Sequence, residues 1–265
     1  MKKQKKNQRV IYYENELEDD FAGTSIKEQK VIDENYAYIH RNVLWRFFSF
    51  LLYRLVAMPA VSIYCWLKFG TKIKNRKILK PYKRKGYFMY ANHTLMAGDA
   101  FHPNMVNAFK RTYILVNPDA VSIKGVKTLV EMLGGMPVPT TLSGSRHFNK
   151  ALRTRVVEEG QVVMVYPEAH VWPYCTKIRS FKSNSFRYPV EFKVPTFCYT
   201  TVFKKRKLFK KPKVEIFIDG PFFAPEELPV KEKEQWLRDA VYETMVERSS
   251  LSDCVYIDYQ KKSDK

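Results

Sequence analysis

His93 and Asp99 are the residues whose types and spacing best suit proton-transfer chemistry. They lie in the run Ala91-Asn92-His93-Thr94-Leu95-Met96-Ala97-Gly98-Asp99-Ala100. An unperturbed imidazole titrates near ~6.5, so a histidine here can take a proton at neutral pH. A carboxylate beside it fixes the tautomer and stabilises the imidazolium. No activated Ser or Cys accompanies the pair, so an acceptor hydroxyl is the natural nucleophile. Each residue also has a plainer reading. Asp99 suits a helix N-cap, and His93 suits a core histidine with satisfied nitrogens.

The elements that must position this pair are legible from residue 86 onward. GYFMYAN reads as a buried strand and Asp99 to Lys110 as a helix, so His93 sits at the carboxyl end of a strand. In parallel α/β folds that is where ligands bind. TYILVN, GMPVP, QVVMVYP, PTFCYTTVF and KVEIFIDG read as further strands. QVVMVYP is so apolar that both its faces must be covered. Asp119 to Leu133, Ser143 to Glu159 with Ser143 as cap, Ser183 to Lys193 and Glu226 to Ser249 read as helices. This alternation predicts an α/β domain with a mostly parallel central sheet flanked by helices.

Ahead of that domain the composition changes twice. Residues 1–42 form a polar, charged arm, expected to be loosely docked. Residues 43–68 are apolar and aromatic, interrupted by Arg46 and Arg54, with 13 uncharged residues from Leu55 to Leu67. A spanning helix needs ~20 apolar residues, and Pro59 disfavours a straight one. The pattern predicts a pair of interfacial helices that dock on a membrane with their Arg heads at the headgroups. A buried core helix is the competing reading. Residues 69–265 form the α/β domain, and a basic run from Lys68 to Lys85 bridges its start. Cations flanking an apolar anchor suit an anionic cytoplasmic leaflet.

The net charge of +19 attracts polyanions. No nucleic-acid motif accompanies it, so nucleic acid is not the expected partner. Cys65, Cys175, Cys198 and Cys254 are far apart, without CxxC spacing or a histidine at ligand distance. That disfavours a zinc site or disulfide framework and fits a reducing cytoplasm. Met1 to Val10 is basic and polar and lacks the apolar stretch of a secretory signal.

Four blocks in order resemble the glycerophospholipid acyltransferase family, the lysophosphatidate-synthesising kind. Asn92-His93 with Asp99 is similar to its NHxxxxD signature. Tyr166-Pro167-Glu168-Ala169-His170 is similar to FPEGT, Phe181 to Arg187 to FKKGAF, and Val194-Pro195 to the VP block. The likeness covers roughly residues 86–205. It implies transfer of a fatty acyl group from acyl-CoA or acyl carrier protein to the hydroxyl of a glycerol-phosphate-type lysolipid. It implies His93 as base and Asp99 as its positioner, with no metal and no prosthetic cofactor. It further implies Arg146 and Lys182 on the acceptor phosphate, Thr141 as a hydrogen-bond donor, and Glu168 on an acceptor hydroxyl or ordering the basic residues. The protein would work on the cytoplasmic side of the cell membrane, peripheral or monotopic, against an anionic surface.

This chain departs from the family pattern in three places. Five residues, not four, separate His93 from Asp99; Gly98 is the candidate to absorb the extra one as a bulge. Thr141 stands where the family carries its phosphate-binding arginine, with Arg146 nearby as replacement. Ala169-His170 replaces Gly-Thr. A non-catalytic lipid- or protein-binding relative is therefore the alternative. Surface ion pairs compete for Lys182 and Arg146, and a buried ion pair for Glu168. Arg179 and Arg187 read as solvated or sheet-flanking.

Overall fold

The computed structural model describes residues 9–21, 29–207 and 209–262. The strands are β1 (Arg9–Tyr13), β2 (Lys72–Lys74), β3 (Tyr87–Ala91), β4 (Thr112–Val116), β5 (Gly135–Pro137), β6 (Val162–Val165), β7 (Thr196–Lys204), β8 (Lys213–Phe222) and β9 (Ile257–Lys261). The main helices are α1 (Val43–Phe69), α2 (Gly98–Val106), α3 (Asp119–Ser122), α4 (Lys127–Met132), α5 (Leu142–Arg153), α6 (Arg187–Phe192) and α7 (Val230–Ser249). The secretory-signal expectation rests on residues 1–10, of which 1–8 lie outside the described residues.

Seven strands form one sheet in the order β2-β8-β7-β3-β6-β4-β5. Every neighbouring pair is parallel except β7 and β8. The predicted α/β class is what forms. Its centre explains the unbroken apolar runs of β3 and β6. Phe88, Tyr90, Val163 and Val165 enter one core, whereas Tyr87, Met89, Ala91, Val162 and Met164 enter the core on the other face. Alternate side chains point to opposite faces, so a strand covered on both sides has no polar position to spare.

The apolar segment forms one continuous helical stretch rather than the expected pair. Pro59 is accommodated by a wider turn over Leu52–Ala57, where the Met58 N–H reaches back to the Tyr53 carbonyl. A π-turn of this kind re-routes the hydrogen bonds that a proline interrupts. At about 1.5 Å per residue the helix is roughly 40 Å long, and by length and composition it is apolar enough to cross a membrane. Ser49, Tyr53, Cys65 and Phe69 face the protein. Phe47, Phe48, Phe50, Leu55, Ile63, Trp66 and Leu67 are exposed, which excludes a buried core helix and leaves a face able to dock on a membrane. Arg54 does not reach outward as expected: its guanidinium donates to the Ala108 carbonyl at 2.7 Å. The helix ends at Gly70, whose φ of 55° gives a left-handed cap.

The polar arm is not loosely docked where it is described. Ile32, Tyr36 and Tyr38 are buried in the main core, and the Tyr38 hydroxyl donates to the Pro137 carbonyl at 2.9 Å. Residues 22–28 of the arm lie outside the described residues. β1 pairs in parallel with β9, joining Arg9–Tyr13 to Ile257–Lys261. Trp172, Tyr259 and Phe21 pack together beside this two-stranded sheet. Neither strand was expected, because each gains its partner only across nearly the whole chain.

Candidate active site

β3 delivers His93 to the carboxyl edge of the sheet. Beyond Ala91 the strand continues through a side chain: Asn92 Oδ1 accepts from Thr201 N at 2.8 Å and its Nδ2 donates to Thr201 O at 3.2 Å. This buried amide bridges to β7 and fixes the next residue. His93 Nδ1 then stands 2.8 Å from Asp99 Oδ2. A carboxylate oxygen accepts, so Nδ1 carries the proton and Nε2 presents a lone pair. The ring stacks on Tyr166, with centroids 4.3 Å apart and planes at 18°. Its side chain remains 17% exposed, whereas that of Asp99 is 1% exposed.

The five residues between His93 and Asp99 close into a turn without a glycine bulge. Gly98 is the first residue of α2, and the glycine is needed for space. A Cβ there would stand 2.9 Å from the Leu95 side chain and 3.0 Å from His102 Cε1. The turn is held by Asp99 itself, whose Oδ2 also accepts Leu95 N–H at 2.8 Å. That bond runs backwards, to a residue ahead of the helix, so Asp99 does not act as an N-cap. Asp99 Oδ1 is buried without a hydrogen-bond partner among the described residues. The imidazole N–H is therefore a main compensation for this carboxylate.

A second layer holds the backbone of His93. Glu168 follows β6 and is buried; its Oε2 accepts His93 N–H at 3.0 Å. The same oxygen takes Arg179 Nη2 at 2.9 Å, and Oε1 takes Arg179 N–H at 3.0 Å. Burial pushes the Glu168 carboxyl up, while the Arg179 guanidinium and the two backbone N–H groups pull it back. Three N–H groups point at its oxygens and leave no acceptor for a carboxyl proton, so it is the ionised form that fits. Trp172 N–H donates to His93 O at 3.1 Å, and Arg179 lies over the Trp172 ring at 4.8 Å. Tyr166 Oη donates to Asp99 O at 2.6 Å. The Tyr199 hydroxyl, 2.8 Å away, must then donate to Tyr166.

Of the residues read from sequence, the structure thus brings His93, Asp99 and Glu168 together. Glu168 spends both oxygens inside the protein, which matches the ion-pair reading of it. Thr141 caps α5, accepting Gly144 N–H at 3.0 Å; the cap falls there and not on Ser143, whose hydroxyl reaches Glu34. Thr141 and the exposed Arg146 stand at the start of α5 after edge strand β5. That is three strands from β3, or roughly 14 Å at ~4.8 Å per strand. Lys182 is exposed on the loop that carries Arg179. Arg179 is the residue sequence reasoning misplaced: it is 1% exposed. A glutamate just past a fully apolar strand calls for a partner if it is buried, but no spacing singles out Arg179 among the many cations of the chain.

The fold and site define an α/β domain with a histidine–carboxylate pair at a strand end. No family model matches the chain, and no curated protein matches it. A solved structure does: the 1-acyl-sn-glycerophosphate (LPA) acyltransferase PlsC from Thermotoga maritima, with a TM-score of 0.54 and 18% identity, over 82% of this chain and 92% of that one. At that identity the likeness establishes a shared fold.

Proposed function

We propose that this chain is an acyltransferase that moves a fatty acyl group from acyl-CoA or acyl carrier protein to the hydroxyl of a glycerol-phosphate-type lysolipid. The observation that carries the reading is the 2.8 Å His93–Asp99 contact at the carboxyl end of β3, with the ring still open to solvent. His93 Nε2 takes the acceptor hydroxyl proton as that oxygen attacks the thioester carbonyl. The tetrahedral intermediate collapses, the C–S bond breaks, and the imidazolium returns the proton to the departing thiolate. Asp99 holds the tautomer and balances the imidazolium. N–H groups near the start of α2 would stabilise the developing oxyanion. Lys182 and Arg146 are the candidate phosphate contacts, Lys as a point charge and Arg bidentately; Thr141, at the start of the helix that carries Arg146, is the candidate hydrogen-bond donor.

The exposed face of α1 and the basic charge would hold the protein on the anionic cytoplasmic face of a membrane, where lysolipids reside. The chemistry as written calls for no metal and no prosthetic group. Incubation with labelled acyl thioester and a panel of lysolipids tests the reading. Transfer to a phosphate-bearing lysolipid is expected. Loss of transfer in folded His93→Ala supports the assignment, and full activity in that variant removes it. A folded wild type inert toward every acceptor would favour the non-catalytic alternative.

A further inference from the structure

We propose that the β7–β8 hairpin, through its described residues 204–207 and 209–213, is a second membrane contact, a basic arm with an aromatic side chain that binds the anionic headgroups of a bilayer beside α1. This rests on the membrane-docking part of the reading above and not on its chemistry.

Between Lys204 and Lys213 seven of ten residues are basic and none is acidic. Lys205, Lys207, Phe209, Lys210 and Lys211 are exposed. A charged loop or a single exposed phenylalanine is ordinary by itself; what matters is where the fold puts this one. The base of the hairpin is fixed, with Lys205 N–H on Asp253 Oδ1 at 2.7 Å. Arg206 turns toward the end of α1. A Cβ built on Gly70 would stand 2.5 Å from its Nη2, and its guanidinium lies 5.1 Å over the Phe209 ring. Phe209, Arg206 and Gly70 therefore form one continuous surface that leads onto the exposed Ile63, Trp66 and Leu67 of α1.

The same surface lies at the functional end of the sheet. β7 runs parallel to β3, so Lys204 and His93 share an end. The end of α1 is there too, because Thr71 Oγ1 is 3.0 Å from His102 Nε2 on α2. A bilayer touching both α1 and the hairpin would meet the protein where His93 opens. An acidic carrier protein could use the cations, but it would have no use for an aromatic ring continuous with an apolar helix.

Co-sedimentation with vesicles tests this. Phosphatidylcholine vesicles with and without phosphatidylglycerol are compared for the wild type, a hairpin double variant (Lys207→Glu, Lys210→Glu) and a control (Lys150→Glu, Lys231→Glu). The control makes the same charge change at exposed positions at the opposite end of the sheet. Each cation close to an anionic surface is worth roughly fivefold in affinity, so the hairpin variant should bind anionic vesicles roughly 30-fold more weakly or worse. The control should stay within about twofold, and neither should change on phosphatidylcholine alone. Equal losses in both variants would mean a general field and overturn the proposal. So would normal vesicle binding by the hairpin variant with transfer lost only from acyl carrier protein. If the wild type transfers no acyl group yet the hairpin variant still loses vesicle binding, the chemistry falls and this contact stands.

Discussion

The carboxylate of Glu168 receives the backbone N–H of His93 at 3.0 Å. A buried charge thus acts on the main chain of the proposed base, while Asp99 acts on its ring. The two acidic residues therefore serve different purposes and should fail differently.

Replacing Asp99 by Asn should cost catalysis more than folding. Asn retains the shape, and one amide oxygen can still accept both Leu95 N–H and His93 Nδ1–H, but it carries no charge to balance the imidazolium. The acyl-transfer kcat should fall by about a thousandfold, within the usual range for acid–base catalysis, with vesicle binding intact. A loss under threefold would make Asp99 a structural residue.

Glu168→Gln separates positioning from substrate binding. If Glu168 only anchors His93 and Arg179, kcat should drop roughly tenfold or more with the acceptor KM unchanged. A rise in acceptor KM at unchanged kcat would return Glu168 to the substrate site. Arg179→Ala leaves a buried carboxylate unpaired and should destabilise the protein by about 3–5 kcal/mol in urea unfolding.

Lys182 and Arg146 are exposed, so removing either should leave stability within about 0.5 kcal/mol. If they hold the acceptor phosphate, each alanine variant raises the acceptor KM about tenfold, the worth of a charged hydrogen bond, and leaves the donor KM alone. Unchanged acceptor KM in both would discard the assignment.

His102 predicts the direction of acid sensitivity. Burial pushes its imidazole down to about 4, with the Asp99 charge opposing. The unfolded chain takes up this proton below about pH 6.5, the folded protein only near 4. Stability is therefore lost as pH falls through that window, by about 2 kcal/mol between pH 7 and 5 from this group alone. Urea midpoints at pH 7 and pH 5 should separate less in His102→Gln than in wild type; equal separation would exclude His102 as a cause.

On α1, Trp66→Asp or Leu67→Asp changes a side chain that is 68% or 64% exposed. Folding should be unaffected, while binding to vesicles of either charge should weaken at least tenfold. Unchanged binding would show that this end of the helix does not meet lipid.

Local pattern made most of the sheet and the ring–carboxylate pair legible. β3, β4, β6, β7 and β8 are apolar runs bounded by breaks, and His93 falls where β3 stops. What escaped depended on distant partners. Arg179 looks like a surface arginine until Glu168 and Trp172 are placed around it. β1 and β9 are short and half polar, and pairing alone makes them strands. The N-cap at Thr141, one of several adjacent hydroxyl residues, was decided by contact geometry that no spacing rule resolves. The single helix across Pro59 depends on a widened turn over Leu52–Ala57, which apolar spacing does not announce.

The β1–β9 pair also sets the order in which the molecule can be completed. Arg9 meets Ile257, so the contact closes a loop of nearly the whole described chain, and such long-range closure is slow to form. Trp172 donates to Asp19 O through its indole and to His93 O through its backbone. The loop that braces His93 is thus tied to the β1–β9 pair, where the Tyr259 hydroxyl donates to Pro173 O at 2.9 Å, so that brace is complete only once two distant parts of the described chain have met.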